Sequence, residues 1–389
     1  MGIPHKFAAL CVLVAFFASV TSCKKLEIAS IRPEKGRDGA VVRILTSTGY
    51  LSKSVVRDFT WETGISVEKH EFSTTEEMVA QLRAYPHRYD LVAVEASSVS
   101  RLAKQKLLRR LDLQKLPAID ELMPEVLQNL SEEVSSYSIP YHWGTTIVAY
   151  RSDKIASPEK SFEMLFEPQM KGKVLLLDNP FECLGVIHRM SGKSINAYSE
   201  EDIDLASDRL NELVEKCELR FASQDIVKKS LLEGEYWAGL CYSGECVRMA
   251  ERDSRISYFL PKEGAGMWLD VFAMSRDAEN VDEVYSFLSY LMRPACIAKS
   301  SEELKYPNPY PASWDNVDAA MLDKELLWPG EEELKHYELF GPRPAQQFSQ
   351  ISRRFSEVTR GRLLRVSQAQ KFSIRTRQEN GNPTSQSEQ

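Results

Sequence analysis

Between residues 41 and 111, short apolar runs alternate with amphipathic stretches, and this order leaves few folds open to the chain. VVRILT reads as a strand interrupted only by Arg43. LSKSVVRDFTWETGI follows as an amphipathic helix, with Gly64 where a left-handed residue best ends it. ISVEKHEF alternates like a strand, and STTEEMVAQLRAY opens with Ser/Thr and Glu at capping spacing, which predicts a helix. RYDLVAVE is a third strand and SSVSRLAKQKLLRRL a third helix. This βαβαβα order predicts a mostly parallel sheet covered by helices.

The pattern changes at YSIPYHWGTTIVAYRSD, two β-rich pieces around Gly144 with no long helix. A second α/β series follows: KVLLLDN, a helix from Glu200 through Lys216, YWAGLCYSG, a further helix and ISYFLPKE. The chain then reaches GMWLDVFAM and the helix NVDEVYSFLSYLMRP. Residues 330–369 read as largely helical, and the polar tail 370–389 as disordered. The expected fold class is α/β, with two mixed sheets covered by helices and a ligand cleft between two lobes. Lobe 1 takes 40–144 plus 269–312, and lobe 2 takes 145–268 plus 313–369. The segments 138–150 and 262–275 are the expected crossings, and ligands favour such interfaces.

The N-terminus predicts export. MGIPHK is a short basic start, and AALCVLVAFFASV is an apolar run too short to span a bilayer with ease. It ends in VTSC, which resembles the bacterial lipobox. Residues 1–22 are then a signal peptide, Cys23 the lipid attachment site, and 23–39 a polar tether. No later stretch nears the roughly 20 apolar residues of a membrane helix. The mature chain is expected to be anchored rather than spanning. The net charge of -7 gives no reason to expect nucleic-acid binding.

GMWLDVFAM carries the most informative pair. In a strand, Trp268 and Asp270 point to one face and offer a π surface beside a negative charge. That combination suits an ammonium group. Other chemistries find little support. MSGKS at 190–194 ends like a phosphate loop, but Ile187 stands where the first glycine belongs. No G-x-S-x-G or H-E-x-x-H occurs, and the six histidines form no local metal pair. Cys241 and Cys246 lack zinc spacing, so buried free thiols are expected. No metal or cofactor is implied.

Several segments together resemble one family. RYDLV, FTWETGI, SIPYHWGTT, EGE at 233–235, GMWLD, and LMRP followed by KYPNP are similar, in order and spacing, to the spermidine/putrescine-binding proteins of polyamine ABC importers. The resemblance covers residues 40–310. It implies a type II periplasmic-binding-protein fold whose lobes close around an extended polyamine. It further implies a monomer without catalysis that delivers its ligand to an inner-membrane permease. Placement would be periplasmic, through the N-terminal lipid.

Carried over residue by residue, the resemblance puts Trp268, Asp270, Glu182, Tyr242 and Tyr306 in the pocket. Asn179 stands where the family has an acid, with Asp178 beside it. The family's Trp-Thr-x-Tyr reads Ser47, Thr48, Gly49, Tyr50, which keeps Thr48 and Tyr50 and loses one aromatic wall. VEAS replaces the family's Pro-Ser-Thr-Tyr and puts Glu95 and Ser97 at pocket positions. Plainer readings stand beside these: core packing for Trp268, Tyr242 and Tyr306, a helix-start acid for Glu182, and a helix cap for Thr48. Asp270 and Glu182 suit the dication putrescine, while spermidine needs Glu95 or Asp178 as well. The departures also leave open another small amine or an amino acid, and, more remotely, a lipoprotein enzyme using a free cysteine.

Overall fold

The structure is a computed structural model. It describes residues 39–364 apart from 48, 73, 117–121, 125, 127–129, 323–325, 330 and 344. The signal segment, Cys23, the tether, Thr48 and the polar tail lie outside the described residues.

The first series forms as its pattern predicts. Strand β1 (Val41–Ser47) leads to helix α1 (Lys53–Thr63), β2 (Ser66–Phe72), α2 (Thr75–Ala84), β3 (Leu91–Glu95) and α3 (Ala96–Lys104). Gly64 closes α1 at φ 76°, and its N–H donates to the Thr60 carbonyl. Thr74 caps α2 by accepting from the Glu77 N–H. Helix α3 is shorter than its pattern suggests. Lys106 turns left-handed at φ 59°, and Leu108 then bridges to Ser275. Burying Leu108 and Leu111 against the sheet outweighs further helix.

YSIPYHWGTTIVAYR becomes a single strand, β4 (Ser138–Arg151). Beyond it come β5 (Val174–Leu177), α4 (Pro180–Met190), α5 (Glu200–Cys217), β6 (Arg220–Ala222), α6 (Gln224–Glu233), β7 (Ala238–Tyr242), α7 (Ser243–Arg252) and β8 (Ile256–Phe259). The chain returns through β9 (Ala265–Met274), then α8 (Val281–Leu291) and α9 (Pro294–Leu304). It ends with β10 (Tyr337–Leu339), α10 (Ala345–Thr359) and β11 (Leu363–Leu364). The largely helical reading of 330–369 therefore holds for α10 but misses β10. A strand of three residues, docked parallel on β9, is too short to carry a readable alternation.

The strands run β11-β6-β5-β7-β4-β9-β3-β1-β2, with β8 on β4 and β10 on β9. β1 pairs in parallel with β2 and β3, and β5 in parallel with β6 and β7. The long strands β4 and β9 lie antiparallel in the middle and join the two parallel halves. Two hydrophobic cores flank the junction. One gathers Ile44, Phe59, Val92, Phe272 and Phe287, and the other Leu175, Leu210, Phe221, Leu240 and Phe355. Among the described residues no helix is long and apolar enough to cross a membrane. Cys183, Cys217, Cys241 and Cys246 are buried free thiols, and Cys296 is half-buried.

Candidate functional site

Three strands end at one line across the sheet, and each hands over directly to a helix. β3 ends at Glu95 before α3, β7 ends at Tyr242 before α7, and β5 leads through Asn179 into α4. Carboxyl ends of parallel strands are where α/β sheets bind ligands. The central antiparallel pair completes the line. Cross-strand register sets Glu95 opposite Asp270, Gly144 opposite Trp268, and Thr146 opposite Tyr242.

Trp268 and Asp270 share a face of β9, as strand alternation requires. The indole stands edge-on between two phenols, with centroids 5.7 Å from Tyr242 and 5.1 Å from Tyr306. Two glycines make this possible. A Cβ on Gly144 would drive into the indole, reaching Cη2 at 2.8 Å, and a Cβ on Gly244 would sit 2.5 Å from the Tyr306 ring. The Trp268 Nε1–H is buried without an acceptor among the described residues.

Asp270 has no hydrogen-bond or ion-pair partner among the described residues. Burial, with no opposing charge, pushes its carboxyl up to about 8. Glu182 lies in the first turn of α4 and is 5 % exposed. Burial pushes its carboxyl up to about 8, helped by the nearby Glu95 charge. The Thr146 hydroxyl and the Arg343 charge draw it down, although Thr146 Oγ1 has no formed hydrogen bond among the described residues. The positive end of α4 favours an acid at this position. A buried carboxylate without a cation is costly.

Asn179 caps α4, its Oδ1 accepting from the Phe181 and Glu182 amides at 3.1 Å and 3.4 Å. That role requires an acceptor and not a charge. Asp178 is exposed, so it supplies no buried anion. Tyr50 packs on Tyr141 instead of on the indole trio, with centroids 5.5 Å apart and its hydroxyl buried without a partner among the described residues. His142 lies in register with Asp270, but burial lowers its pKa to about 3. It bonds Pro307 and Ser300 as a neutral ring and brings no positive charge.

Glu95 has different surroundings. Its Oε1 accepts from Ser97 Oγ at 2.7 Å and from Arg343 Nη2 at 2.6 Å. Arg343 is 8 % exposed, and its guanidinium lies 3.8 Å from the centre of the Phe181 ring. Sequence reasoning missed Arg343 and Phe340, which meet the site only through the docking of β10, and Phe181, which the first turn of α4 sets beside Glu182. The available signal was GPRP, an arginine between two prolines, which favours an extended backbone and a projecting side chain. A cavity of about 10 Å³, close to the room needed by one water, lies among Thr146, Glu182, Gly266 and Phe340.

Comparison with known proteins places the chain in a lineage. The Spermidine/putrescine-binding periplasmic protein of Escherichia coli K12 is 28% identical over 294 residues, covering 75% of this chain and 84% of that protein. The Putrescine-binding periplasmic protein PotF of the same organism is 30% identical over 306 residues, covering 74% and 83%. The crystal structure of the TpPotD lipoprotein of Treponema pallidum superposes with a TM-score of 0.73 at 20% identity, covering 82% of this chain and 99% of that one. The architecture is the two-lobed type II periplasmic-binding-protein fold. The profile of the bacterial extracellular solute-binding proteins matches residues 54–324, and the chain belongs to that family.

Proposed function

We propose that the protein captures a polyamine in this cleft and delivers it to an ABC permease of the inner membrane. The observation that carries the reading is the unpartnered Asp270 beside the Tyr242–Trp268–Tyr306 trio, with Glu182 buried close by. A protonated amine supplies the cation these acids lack. The aromatic faces hold its charge and pack its methylenes, at roughly 0.5–2 kcal/mol for each cation–π contact. Its Escherichia coli relatives are named for binding putrescine and spermidine. The role is that of a carrier without catalysis, working as a monomer.

The two cores correspond to two lobes that divide near Gly144 and Trp268 and close on the ligand. Cys23 carries a lipid that holds the protein at the membrane on the periplasmic side. A Cys23→Ser variant moves from the membrane pellet to the soluble fraction if the anchor is real, and stays in the pellet if it is not.

Titration of the folded, ligand-stripped protein with putrescine and spermidine, followed by tryptophan fluorescence and calorimetry, tests the main reading. Micromolar or tighter binding, about 8 kcal/mol, is expected. Silence toward both amines sinks it. The second reading is an amino acid or another small amine bearing an acceptor. The Arg343 Nε–H, buried without an acceptor among the described residues, favours it. A competition panel that a zwitterion wins would select it.

A further inference from the structure

We infer that Arg343 sets the ligand specificity of the cleft, its guanidinium filling one cation position against Glu95 and Phe181 and so restricting the ligand to a dication of diamine size. The inference rests on the polyamine reading and narrows it.

Arg343 meets an acid at 2.6 Å and an aromatic face at 3.8 Å. Acid plus ring is also what Asp270 and Trp268 present to an incoming amine. The segment that carries Arg343 is fastened where the two cores meet, with Phe340 buried in the second and Leu339 packed on the first. The Phe340 N–H donates to Met267 O at 2.9 Å, and Asn196 clasps the turn, accepting from the Gly341 N–H at 2.8 Å and donating to Leu339 O at 2.9 Å. From that base the arginine reaches the first core, where its own N–H donates to Ser97 O at 3.4 Å. The guanidinium thus bridges the two cores, with Phe181 of the second core on one side and Glu95, at the end of β3, on the other.

The charge count follows. Glu95, Glu182 and Asp270 are the acids of the site, and Arg343 neutralises the first. Two remain for the ligand. A third ammonium has to displace Arg343, whose buried guanidinium then loses its carboxylate. Arg101, close enough to Arg343 for the two charges to repel, adds to the positive potential on that side. An ammonium entering beside a guanidinium is disfavoured at low dielectric. Putrescine satisfies both free acids and leaves Arg343 in place, whereas spermidine brings one charge too many.

Calorimetry with putrescine and spermidine on the mature protein decides the matter. Wild type is expected to bind putrescine at least about tenfold more tightly than spermidine. Arg343→Met frees Glu95 and moves the putrescine-to-spermidine affinity ratio toward spermidine by about tenfold or more. Arg343→Lys keeps the wild-type ratio. The pair Glu95→Gln with Arg343→Met removes both charges and restores the preference for putrescine, which a purely structural role for Arg343 would not do. If Arg343→Met fails to fold, Arg343→Gln has to shift the ratio in the same direction. A wild type that prefers spermidine, or a ratio unmoved in both neutral variants, overturns the inference while leaving a polyamine carrier intact. A wild type that binds neither amine brings down the polyamine reading and this inference with it.

Discussion

Asp90, buried, and Asp270, half-buried, stand on or beside the neighbouring strands β3 and β9, and their surroundings are opposite. Asp90 stands just before β3 with no solvent exposure. It accepts from Arg43 Nε at 3.1 Å, from the Arg43 N–H at 2.9 Å, from Asn280 Nδ2 at 3.0 Å, and from the Glu279 and Asn280 amides at 3.2 Å. These donors outweigh its burial and hold its carboxyl below the usual range. Asp270, on the strand beside β3, has no donor among the described residues, and its carboxyl rises to about 8. A buried acid satisfied from within ties elements together. One left unsatisfied costs stability, and on the proposed reading the cation of the ligand offsets that cost.

The largest test of that contrast is Asp270→Asn. Removing one partner of a buried ionic contact costs about 3–5 kcal/mol, so polyamine affinity should fall at least about 100-fold while the melting temperature holds or rises. Unchanged affinity in calorimetry would remove Asp270 from the site. Asp90→Asn should do the reverse. Stability falls by about 3 kcal/mol, at the low end because Arg43 keeps Glu279, and ligand affinity stays put. Urea titration beside a binding isotherm separates the two effects, and a stable variant would show the Asp90 network to be dispensable.

Gly144→Ala is next. The added methyl displaces the indole, which should cost about 1–3 kcal/mol of stability and weaken binding together. A variant with native melting and native affinity would contradict the close approach of Gly144 and Trp268.

The smallest effect is on pH dependence, and its sign differs between the two aspartates. Asp90, held low, contributes stability that is present above about pH 4 and is lost as pH falls through its folded value. Folding raises Asp270 from 3.8 and Glu182 from 4.5 to about 8. The folded protein then holds protons that the unfolded chain has released. Stability without ligand should therefore decline as pH climbs from about 4 to about 8, then level off. A cation needs both acids ionised, so binding near pH 7 should release protons, and affinity should rise about thirtyfold over the unit below pH 8. Calorimetry in two buffers of different ionisation enthalpy measures the release. Proton uptake, or none, would show that these acids are ionised before the ligand arrives.

Much of the fold was legible because local rules and tertiary packing agree along most of the chain. The Thr74 cap, the Gly64 stop and the alternation of β2 each place an element within a residue or two of where it forms. Trp268 and Asp270 were legible as a pair because strand period alone puts them on one face. The end of α3 was not, because the burial of Leu108 and Leu111 is a long-range term. Glu95 shows the same limit within the site. Its type and position mark it as a pocket acid, yet whether it is free depends on Arg343, 248 residues further along the chain.

The sequence by itself determined the two α/β series, the central strands and the acid–aromatic pair on β9, since periodicity, caps and turns act over a few residues. Only the tertiary structure decided which acids keep an open charge. Pairing two ions across the sheet is a matter of distance after folding, and nothing in the local pattern of either residue encodes it.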